Sequence, residues 1–306
     1  MPIKEKITVI GASNIDLIGF SKETLIYKDA NIGTLETILG GVGRNIAENL
    51  SYLEVDVEFL SVFADDVFSK TILDSCSNLG ISTEHSITVK DSSTSTYIAI
   101  LDSDNDLAVG LSAMDIYNTI PDSFILNNLE TISKNTYCLI ETNMPISILE
   151  LVTSELPDVR FALEAVSSKK ALKAKSILDK VYILKCNLLE AELLSDIKVE
   201  YEQDSEKLVA YFLALGIKKV FITMGRDGVV YGDSNGIWIE PVNIIPPVNT
   251  NGAGDAFMSG ILYGELQGYD MFKMVQFASE CSRMTILHKN AVNPNLNKNE
   301  VLKEIT

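Results

Sequence analysis

The chain has 306 residues, 46% of them hydrophobic, and its formal net charge is −17 at pH 7. This apolar share is sufficient for the core of one large α/β domain or two small ones. The acidic balance argues against a nucleic-acid surface, because binding to a phosphate backbone needs clustered Lys and Arg. No apolar run approaches the ~20 residues that span a bilayer, and the N-terminus lacks a signal-peptide pattern. We therefore predict a folded cytoplasmic protein that binds neither nucleic acid nor a membrane.

The few cysteines and histidines are widely spaced. No C-x-x-C pair occurs, so the pattern favours neither a disulfide framework nor a zinc site. We predict reduced and mostly buried thiols, and structural roles for Cys281 and His288. The residues concerned are Cys76, Cys138, Cys186, Cys281, His85 and His288.

Strand-like apolar runs alternate with helical stretches along most of the chain. Such alternation predicts a parallel sheet flanked by helices. No linker rich in Pro, Gly or Ser interrupts it, which favours one domain over residues 1–306. The predicted strands lie near 7–11, 57–62, 137–140, 159–163, 181–184 and 218–223, and the helices near 67–79, 146–155, 169–178, 188–194 and 270–287.

Two segments depart from this rhythm. From 20 to 39 the apolar residues alternate over short stretches, and 95–109 resembles a hairpin with a polar turn at 102–106. We expect these segments to form a small sheet from about 15–39 and 92–111, with a plain surface hairpin as the alternative.

Polar residues follow the first predicted strand. Asn14 and Asp16 are two positions apart, so in an extended chain they face the same side. In open α/β sheets, ligands bind beyond the carboxyl ends of the strands. The two side chains could therefore hold a diol, although a turn that only caps the strand accounts for them equally well.

A glycine-rich segment precedes the next predicted helix. Gly40 and Gly41 are followed by Gly43, Arg44 and Asn45, and this spacing is not the G-x-G-x-x-G of a dinucleotide fingerprint. We reject a dinucleotide site here. For Arg44 an exposed helix charge is favoured over a substrate contact.

The segment Pro246–Phe257 indicates a loop that leads into a helix beginning near Gly252. Gly252 and Gly254 allow a close approach of the backbone to a ligand, and the first helical turn leaves N–H groups unpaired. Such a helix start suits an anion such as phosphate. Asp255 either complements the helix dipole or takes a proton from an attacking hydroxyl.

Two further segments each have two interpretations. Asn187 and Glu190 are three apart, which fits a helix capping box as well as a metal site. Thr223, Gly225 and Gly228 end a predicted strand in a glycine turn, which could be a simple β-turn or a nucleotide contact.

Several of these segments resemble the signatures of the PfkB carbohydrate kinases. The run at 249–255 is similar to D-T-x-G-A-G-D, with Asn249 in place of the first Asp. The run at 11–16 is similar to G-x-x-N-x-D, 40–45 to G-G-x-x-x-N, 187–190 to N-x-x-E and 223–228 to T-x-G-x-x-G. The resemblance covers nearly the whole chain. It implies a ribokinase-like three-layer αβα fold, with a mostly parallel central sheet and a small β lid.

The resemblance also implies roles for individual residues. Asp255 would be the catalytic base, and Gly252, Ala253 and Gly254 the anion hole for the transferred phosphoryl group. The substrate-binding residues would be Asn14, Asp16, Gly40, Gly41 and Asn45. ATP would contact Asn187, Thr223, Gly225, Gly228, Asn249, Gly252, Gly254 and Asn293, with Glu190 near Mg²⁺. The expected ligands are ATP, Mg²⁺ and a nucleoside or sugar, the expected assembly is a homodimer through the lid, and activation by K⁺ stays open.

Within the family, segments such as 11–16, 41–50 and 141–145 resemble the pseudouridine kinases more than the ribokinases. This subgroup implies phosphorylation of the 5′-hydroxyl of pseudouridine. Two departures are Glu164, where Asp is expected, and Asn251. Two alternatives stay open at this point. One is a ribokinase or another sugar or nucleoside kinase, and the other is a binding protein that kept the fold and lost catalysis.

Overall fold

The computed structural model describes residues 6–104, 106–201, 204–242 and 245–305. Position 105, in the predicted hairpin turn, lies outside these residues. The strands are β1 Lys6–Ile10, β2 Asn14–Ser21, β3 Gly33–Gly40, β4 Asp56–Leu60, β5 Val62–Ala64, β6 Ile87–Val89, β7 Thr96–Leu101, β8 Leu107–Ala113, β9 Tyr137–Glu141, β10 Arg160–Glu164, β11 Val181–Asn187, β12 Lys219–Thr223, β13 Val229–Asp233 and β14 Gly236–Glu240.

The helices alternate with the strands of the main sheet. The predicted helix at 169–178 is α-helical only at its start and continues as a 3₁₀ helix over Leu172–Lys180. The α-helices are α1 Val42–Tyr52, α2 Val67–Asn78, α3 Ser123–Leu126, α4 Leu129–Ser133, α5 Ile146–Glu155, α6 Ser168–Ala171, α7 Leu188–Ser195, α8 Ser205–Ala214, α9 Ala253–Leu266, α10 Met271–Ile286 and α11 Lys298–Glu304.

The main sheet runs through the middle of the molecule in the order β14-β13-β12-β11-β10-β9-β1-β4. Its pairs from β4 to β12 are parallel, and β13 and β14 continue it as antiparallel strands. The prediction of an α/β fold with a mostly parallel sheet is therefore confirmed.

Two hydrophobic clusters cover the two faces of this sheet. Alternate residues of a strand belong to different clusters, as the period of two requires. In β1, Ile10 contributes to the cluster formed with α3, α5, α7 and α8, whereas Ile7 and Val9 contribute to the one formed with α1, α2, α9 and α10. The result is three layers. The four cysteines are free and buried within them, as predicted.

A second sheet has the order β3-β2-β7-β8. The predicted hairpin is confirmed, because β7 pairs antiparallel with β8. β2 follows β1 after three residues, and β3 leads directly into α1. The second sheet is therefore joined to the main sheet at the carboxyl end of β1, which is the end where ligands bind in such folds.

None of the helices in the described part of the chain has the length and apolar character needed to span a bilayer.

Candidate active site

Asn14 and Asp16 lie at the start of β2, beside Gly40 at the end of β3. Asn14 Nδ2 donates a hydrogen bond to Asp16 Oδ1, so the two side chains share one side of the strand as expected. A methyl group added at Gly40 would lie 2.7 Å from Asp16 Oδ2 and 2.8 Å from Asn14 Nδ2. Predicted substrate-binding residues from two separate segments therefore meet at one place.

Gly41 caps the N-terminus of α1 with a φ of 99°. A methyl group there would lie 2.5 Å from the carbonyl oxygen of Ala12, which is closer than any side chain tolerates. Only glycine combines this dihedral with so close a contact. The connection between β1 and β2 therefore crosses directly over the start of α1.

Arg44 is buried, with 4% of its surface exposed, so the prediction of an exposed helix charge is wrong. Its guanidinium donates to the carbonyl oxygens of Gly40 and Leu39 at 3.1 and 2.9 Å and to Asn45 Oδ1 at 2.7 Å, and it pairs with Glu48. A guanidinium can satisfy several acceptors at once, which repays its burial. Arg44 thus fixes the end of β3 and the amide of Asn45.

Asp255 lies in the first turn of α9 and is buried. Its Oδ2 accepts a hydrogen bond from Asn45 Nδ2 at 2.7 Å. Burial raises the pKa of the Asp255 carboxyl above its ordinary value, while the Asn45 hydrogen bond and the charges of Lys185 and Arg44 oppose the rise. A carboxylate of raised pKa that faces a polar cluster has the properties of a general base.

The helix α9 begins after Gly252, which has a φ of 78°. A methyl group at Gly252 would lie 1.8 Å from the carbonyl oxygen of Ala291. This contact holds the N-terminus of α9 against the loop that follows α10. The first N–H groups of an α-helix have no partner within the helix, and they attract anions.

A cavity of about 510 Å³ opens beside the N-terminus of α9. Five of the predicted ATP-binding or anion-hole residues line it. Thr223, Gly225 and Gly228 come from the turn after β12, and Ala253 and Gly254 from α9. Arg226, for which the sequence favours a solvated charge over a phosphate contact, is exposed and also lines the cavity. The lining residues from α10 were not singled out from the sequence, namely Gln276, Ser279, Glu280, Ser282, Arg283 and Ile286. These residues of α10 form one wall of the cavity only because α10 packs beside α9, and this packing is not visible in the sequence of α10.

Asn249 and Asn293 do not line this cavity, and their amides bond to the backbone. Asn249 Nδ2 donates to Lys289 O at 2.8 Å, and its Oδ1 accepts from Asn251 N at 2.9 Å. Asn293 Nδ2 donates to Met284 O at 2.7 Å, and its Oδ1 accepts from the amide of residue 295 at 2.9 Å. Their contact with ATP stays a prediction, and the observed bonds hold the loops on either side of Gly252.

Asn187 and Glu190 form the capping box that their spacing allowed. Asn187 Oδ1 accepts from Glu190 N, and Glu190 Oε2 accepts from Asn187 N, both at 2.9 Å. Among the described residues, no group of three or more Asp, Glu, His or Cys side chains could hold a metal. A magnesium ion near Glu190 would therefore complete its shell with water and phosphate oxygens, as Mg²⁺ ordinarily does. Glu190 as a metal contact stays a prediction.

Lys185, Glu164 and Glu141 were not predicted as site residues. Lys185 Nζ lies 3.0 Å from Glu164 Oε1, and both side chains are buried. Glu141 accepts hydrogen bonds from the backbone N–H groups of Ala12 and Asn143, at 2.5 and 2.7 Å. The sequence did contain a signal for these residues, because each lies at or near the end of an apolar strand. A charged side chain in such a strand is seldom buried unless it has a partner, so a paired or functional role could have been expected.

We expect the protein to lose stability as the pH rises from about 5 to 8. Burial raises the pKa of Glu164 to about 8 and that of Glu141 to about 7, both from 4.5. Since the folded pKa values exceed the unfolded ones, the stabilisation by bound protons is complete below the unfolded pKa and disappears as the pH passes the folded values. Each carboxyl can contribute a slope of up to about 1.4 kcal/mol per pH unit.

Urea titrations at a series of pH values would measure this slope. Glu164→Gln should flatten it, because the amide cannot titrate. Glu155→Gln, an exposed position at the end of α5, is the control and should keep the wild-type slope. A Glu164→Gln slope equal to that of the wild type would contradict the assignment.

The cluster around Asp16 and Asn45, the carboxylate of Asp255 and the cavity are thus adjacent. Comparison with known proteins identifies the family. Residues 4–298 match the model of the pfkB family carbohydrate kinases. The chain belongs to this family. The resemblance expected from the motifs is confirmed, and PfkB-family kinases transfer a phosphoryl group to an alcohol.

Similar proteins match this chain over nearly its whole length, and the solved structures among them share its fold. The pseudouridine kinase of Escherichia coli K12 is 32% identical over 297 residues, covering 96% of this chain and 94% of the relative. A carbohydrate kinase from Agrobacterium tumefaciens matches with a TM-score of 0.87 at 25% identity, over 98% of this chain and 97% of the other. The ribokinase of Arabidopsis thaliana, solved with ribose and ATP, has a TM-score of 0.90 at 20% identity, over 99% of each chain. These neighbours confirm the ribokinase-like fold.

Proposed function

We propose that this PfkB-family kinase transfers the γ-phosphoryl group of ATP to the 5′-hydroxyl of a ribosyl substrate, and that this substrate is pseudouridine. The observation that carries the proposal is the position of Asp255. Its carboxylate bonds to Asn45 on the sugar side, and its helix begins with the residues that line the cavity on the other side. A base between two binding sites is what direct transfer between two bound molecules requires.

On the sugar side, Asp16 and Asn14 would accept and donate hydrogen bonds to the ribose hydroxyls. Gly40 and Gly41 would let the sugar lie against the backbone, and Asn45 would bond to a hydroxyl. Arg44 holds Asn45 and the end of β3, so it would position this site without contacting the substrate. The 5′-hydroxyl would then face Asp255, which would accept its proton.

On the nucleotide side, the turn with Thr223, Gly225 and Gly228 would follow the phosphates of ATP in the cavity. The N–H groups at Gly252 to Gly254 would stabilise charge on the transferring group. Glu190 would help hold a hydrated Mg²⁺, which when bound neutralises charge on the β- and γ-phosphates. Because the net charge of the chain is −17, local dipoles must offset the repulsion of a polyanion.

Pseudouridine is proposed as the substrate because the E. coli pseudouridine kinase is 32% identical over 96% of this chain. A ribokinase or another nucleoside kinase would use the same base and anion hole and differ around the substrate. A binding protein without catalysis is disfavoured, because Asp255 and its hydrogen-bond partner Asn45 are both present.

A phosphorylation assay followed by mass spectrometry tests the proposal. The purified protein is incubated with Mg-ATP and, separately, pseudouridine, uridine, cytidine, adenosine and ribose. Selective conversion of pseudouridine is the expected result. Selective conversion of another acceptor would keep the mechanism and reject the substrate, and conversion of none of them would reject both.

The second sheet also supports a homodimer. Its register places Leu35, Ile98, Ile100, Val109 and Leu111 on the face opposite Asp16. Leu35 and Leu111 are 66% and 58% exposed in the single chain. A continuous apolar face of this kind is typical of an interface, and a second copy of the same face would bury it.

We therefore expect sedimentation velocity to detect a dimer that Leu111→Asp dissociates, because a charge would be buried at the interface. Leu189→Asp is the control. It changes an exposed leucine of α7, on the main domain, and should leave the dimer intact. A monomeric wild-type protein would contradict the expectation.

A further inference from the structure

Lys185 and Glu164 form a buried ion pair between neighbouring strands. They face each other in the parallel register of β10 and β11, with 5% and 3% of their surfaces exposed. Lys185 Nζ lies 3.0 Å from each carboxylate oxygen of Glu164. Taking such a pair out of water can cost more than its attraction returns, so the pair is weak evidence for a contribution to stability.

The ammonium of Lys185 lies against the first turn of α9. A methyl group added at Gly254 would be 2.6 Å from Nζ. Gly254 also lines the cavity beside the helix N-terminus. A full positive charge and the unpaired N–H groups of the helix thus converge on the same few ångströms of space.

Three buried carboxylates act on the ammonium of Lys185, those of Glu164, Asp255 and Glu190. Burial alone disfavours the charged form of Lys185, but these neighbours raise the pKa of its amine, so it remains an ammonium. Burial raises the pKa of the Glu164 carboxyl, while the ammonium of Lys185 opposes the rise.

The charge of Lys185 also acts on Asp255. From α1 it faces Asn45 and the guanidinium of Arg44, and from β11 it faces Lys185. Each of these favours the ionised carboxylate that a base needs. Glu164 lies close enough for its own carboxyl to feel the charge of Asp255.

We propose that Lys185 is a further catalytic residue of the phosphoryl transfer, and that Glu164 is its positioning residue. The ammonium neutralises charge on the γ-phosphoryl group as that group passes Gly254, and it keeps Asp255 ionised before the transfer. Glu164 holds Nζ in place through the hydrogen bond at Oε1 and the ion-pair contact at Oε2. The inference rests on the proposed kinase function.

The alternative is that Lys185 has a purely structural role, in which its ammonium only neutralises the buried carboxylate of Glu164 inside the sheet. The two roles can be separated, because Lys185→Met alone leaves Glu164 without its partner, whereas Lys185→Met combined with Glu164→Gln removes both charges. The double variant keeps the approximate shape of both side chains and leaves neither charge of the pair without the other. If balance is all that matters, the double variant should be active.

The experiment compares the wild type, Glu164→Gln and the double variant. Thermal unfolding establishes that each is folded, and kcat, the KM for ATP and the pH profile of kcat are measured with the acceptor that the wild type converts. For the double variant we expect a melting temperature close to that of the wild type and a kcat about 10²-fold to 10³-fold lower. The acid limb of its pH profile should move to higher pH, since Asp255 has lost a neighbouring cation. Glu164→Gln keeps the ammonium and should lose about tenfold or less.

Binding gives a readout that does not depend on turnover. Isothermal titration with ATP and with ADP gives the ratio of the two affinities, and this ratio should fall about tenfold in the double variant because Lys185 acts on the γ-phosphate. A folded double variant with wild-type kcat, pH profile and affinity ratio would overturn the inference. A wild-type protein that converts no acceptor would reject the proposed function instead, and an unchanged affinity ratio would then reject this inference separately.

Discussion

Replacing Asp255 with Asn is expected to lower kcat by about 10²–10⁴, because the amide cannot accept the proton of the attacking hydroxyl. Binding of the substrate and ATP should survive. An Asn side chain has nearly the same shape, and its oxygen can still accept the hydrogen bond that Asn45 Nδ2 donates at 2.7 Å. The measurements are steady-state kinetics with the identified acceptor and calorimetric titration with ATP.

Asp158→Asn is the matched control for this variant. Asp158 is exposed and precedes β10, at the end of the sheet away from the candidate site. The same change of charge and shape there should leave kcat within about twofold of the wild type, as surface substitutions ordinarily do. An Asp255→Asn enzyme with near-normal turnover would show that another group accepts the proton.

Gly252→Ala is expected to have the second large effect. The backbone at Gly252 has a φ of 78°, and a methyl group would lie 1.8 Å from the carbonyl oxygen of Ala291. The loop after α10 or the start of α9 must therefore move. A displacement of about 1 Å at a reacting site can cost 10²-fold in rate, so we expect kcat to fall by about that factor or more, and the free energy of unfolding to fall by about 3 kcal/mol.

The same helix offers its own control at the opposite end. Gly268 follows α9 with a φ of 65°, and a methyl group there would meet nothing within 4 Å. Gly268→Ala should therefore cost about 1 kcal/mol of stability from backbone strain alone and keep the wild-type kcat. Urea unfolding and steady-state kinetics of the two variants separate the effect of backbone strain from that of the steric clash with Ala291. Equal effects at the two positions would show that the contact with Ala291 has no special importance.

The local features of this fold were predictable from neighbouring residues. The start of α9 at Gly252 with Asp255 in its first turn, and the capping box of Asn187 and Glu190, depend on residues a few positions apart. The alternation of strands and helices likewise indicated the parallel sheet. The helix start and the capping box reflect backbone conformations that the residues themselves favour. The alternation of elements reflects the spacing of apolar residues that face the core.

Arg44 shows where this approach fails. From the sequence it was one more charge on an amphipathic helix, a position that is exposed in most proteins. In the structure its guanidinium is covered by the end of β3, and its acceptors include the carbonyl oxygens of Leu39 and Gly40. Burial of a charge becomes favourable only when such acceptors are already arranged around it, and the helical period of α1 carries no record of them.

The sequence by itself therefore determined the class of the fold, because glycines, caps and apolar periods act within a few residues, and its motifs indicated the family. Residues of the candidate site were predicted from the same motifs. Only the tertiary structure decided what Asp255 touches. Its partner Asn45 is 210 positions away, and the Lys185–Glu164 pair depends on the register of β10 and β11. Hydrogen bonds and buried charges act over a few ångströms of space, and that proximity arises from the packing of the sheet and its helices.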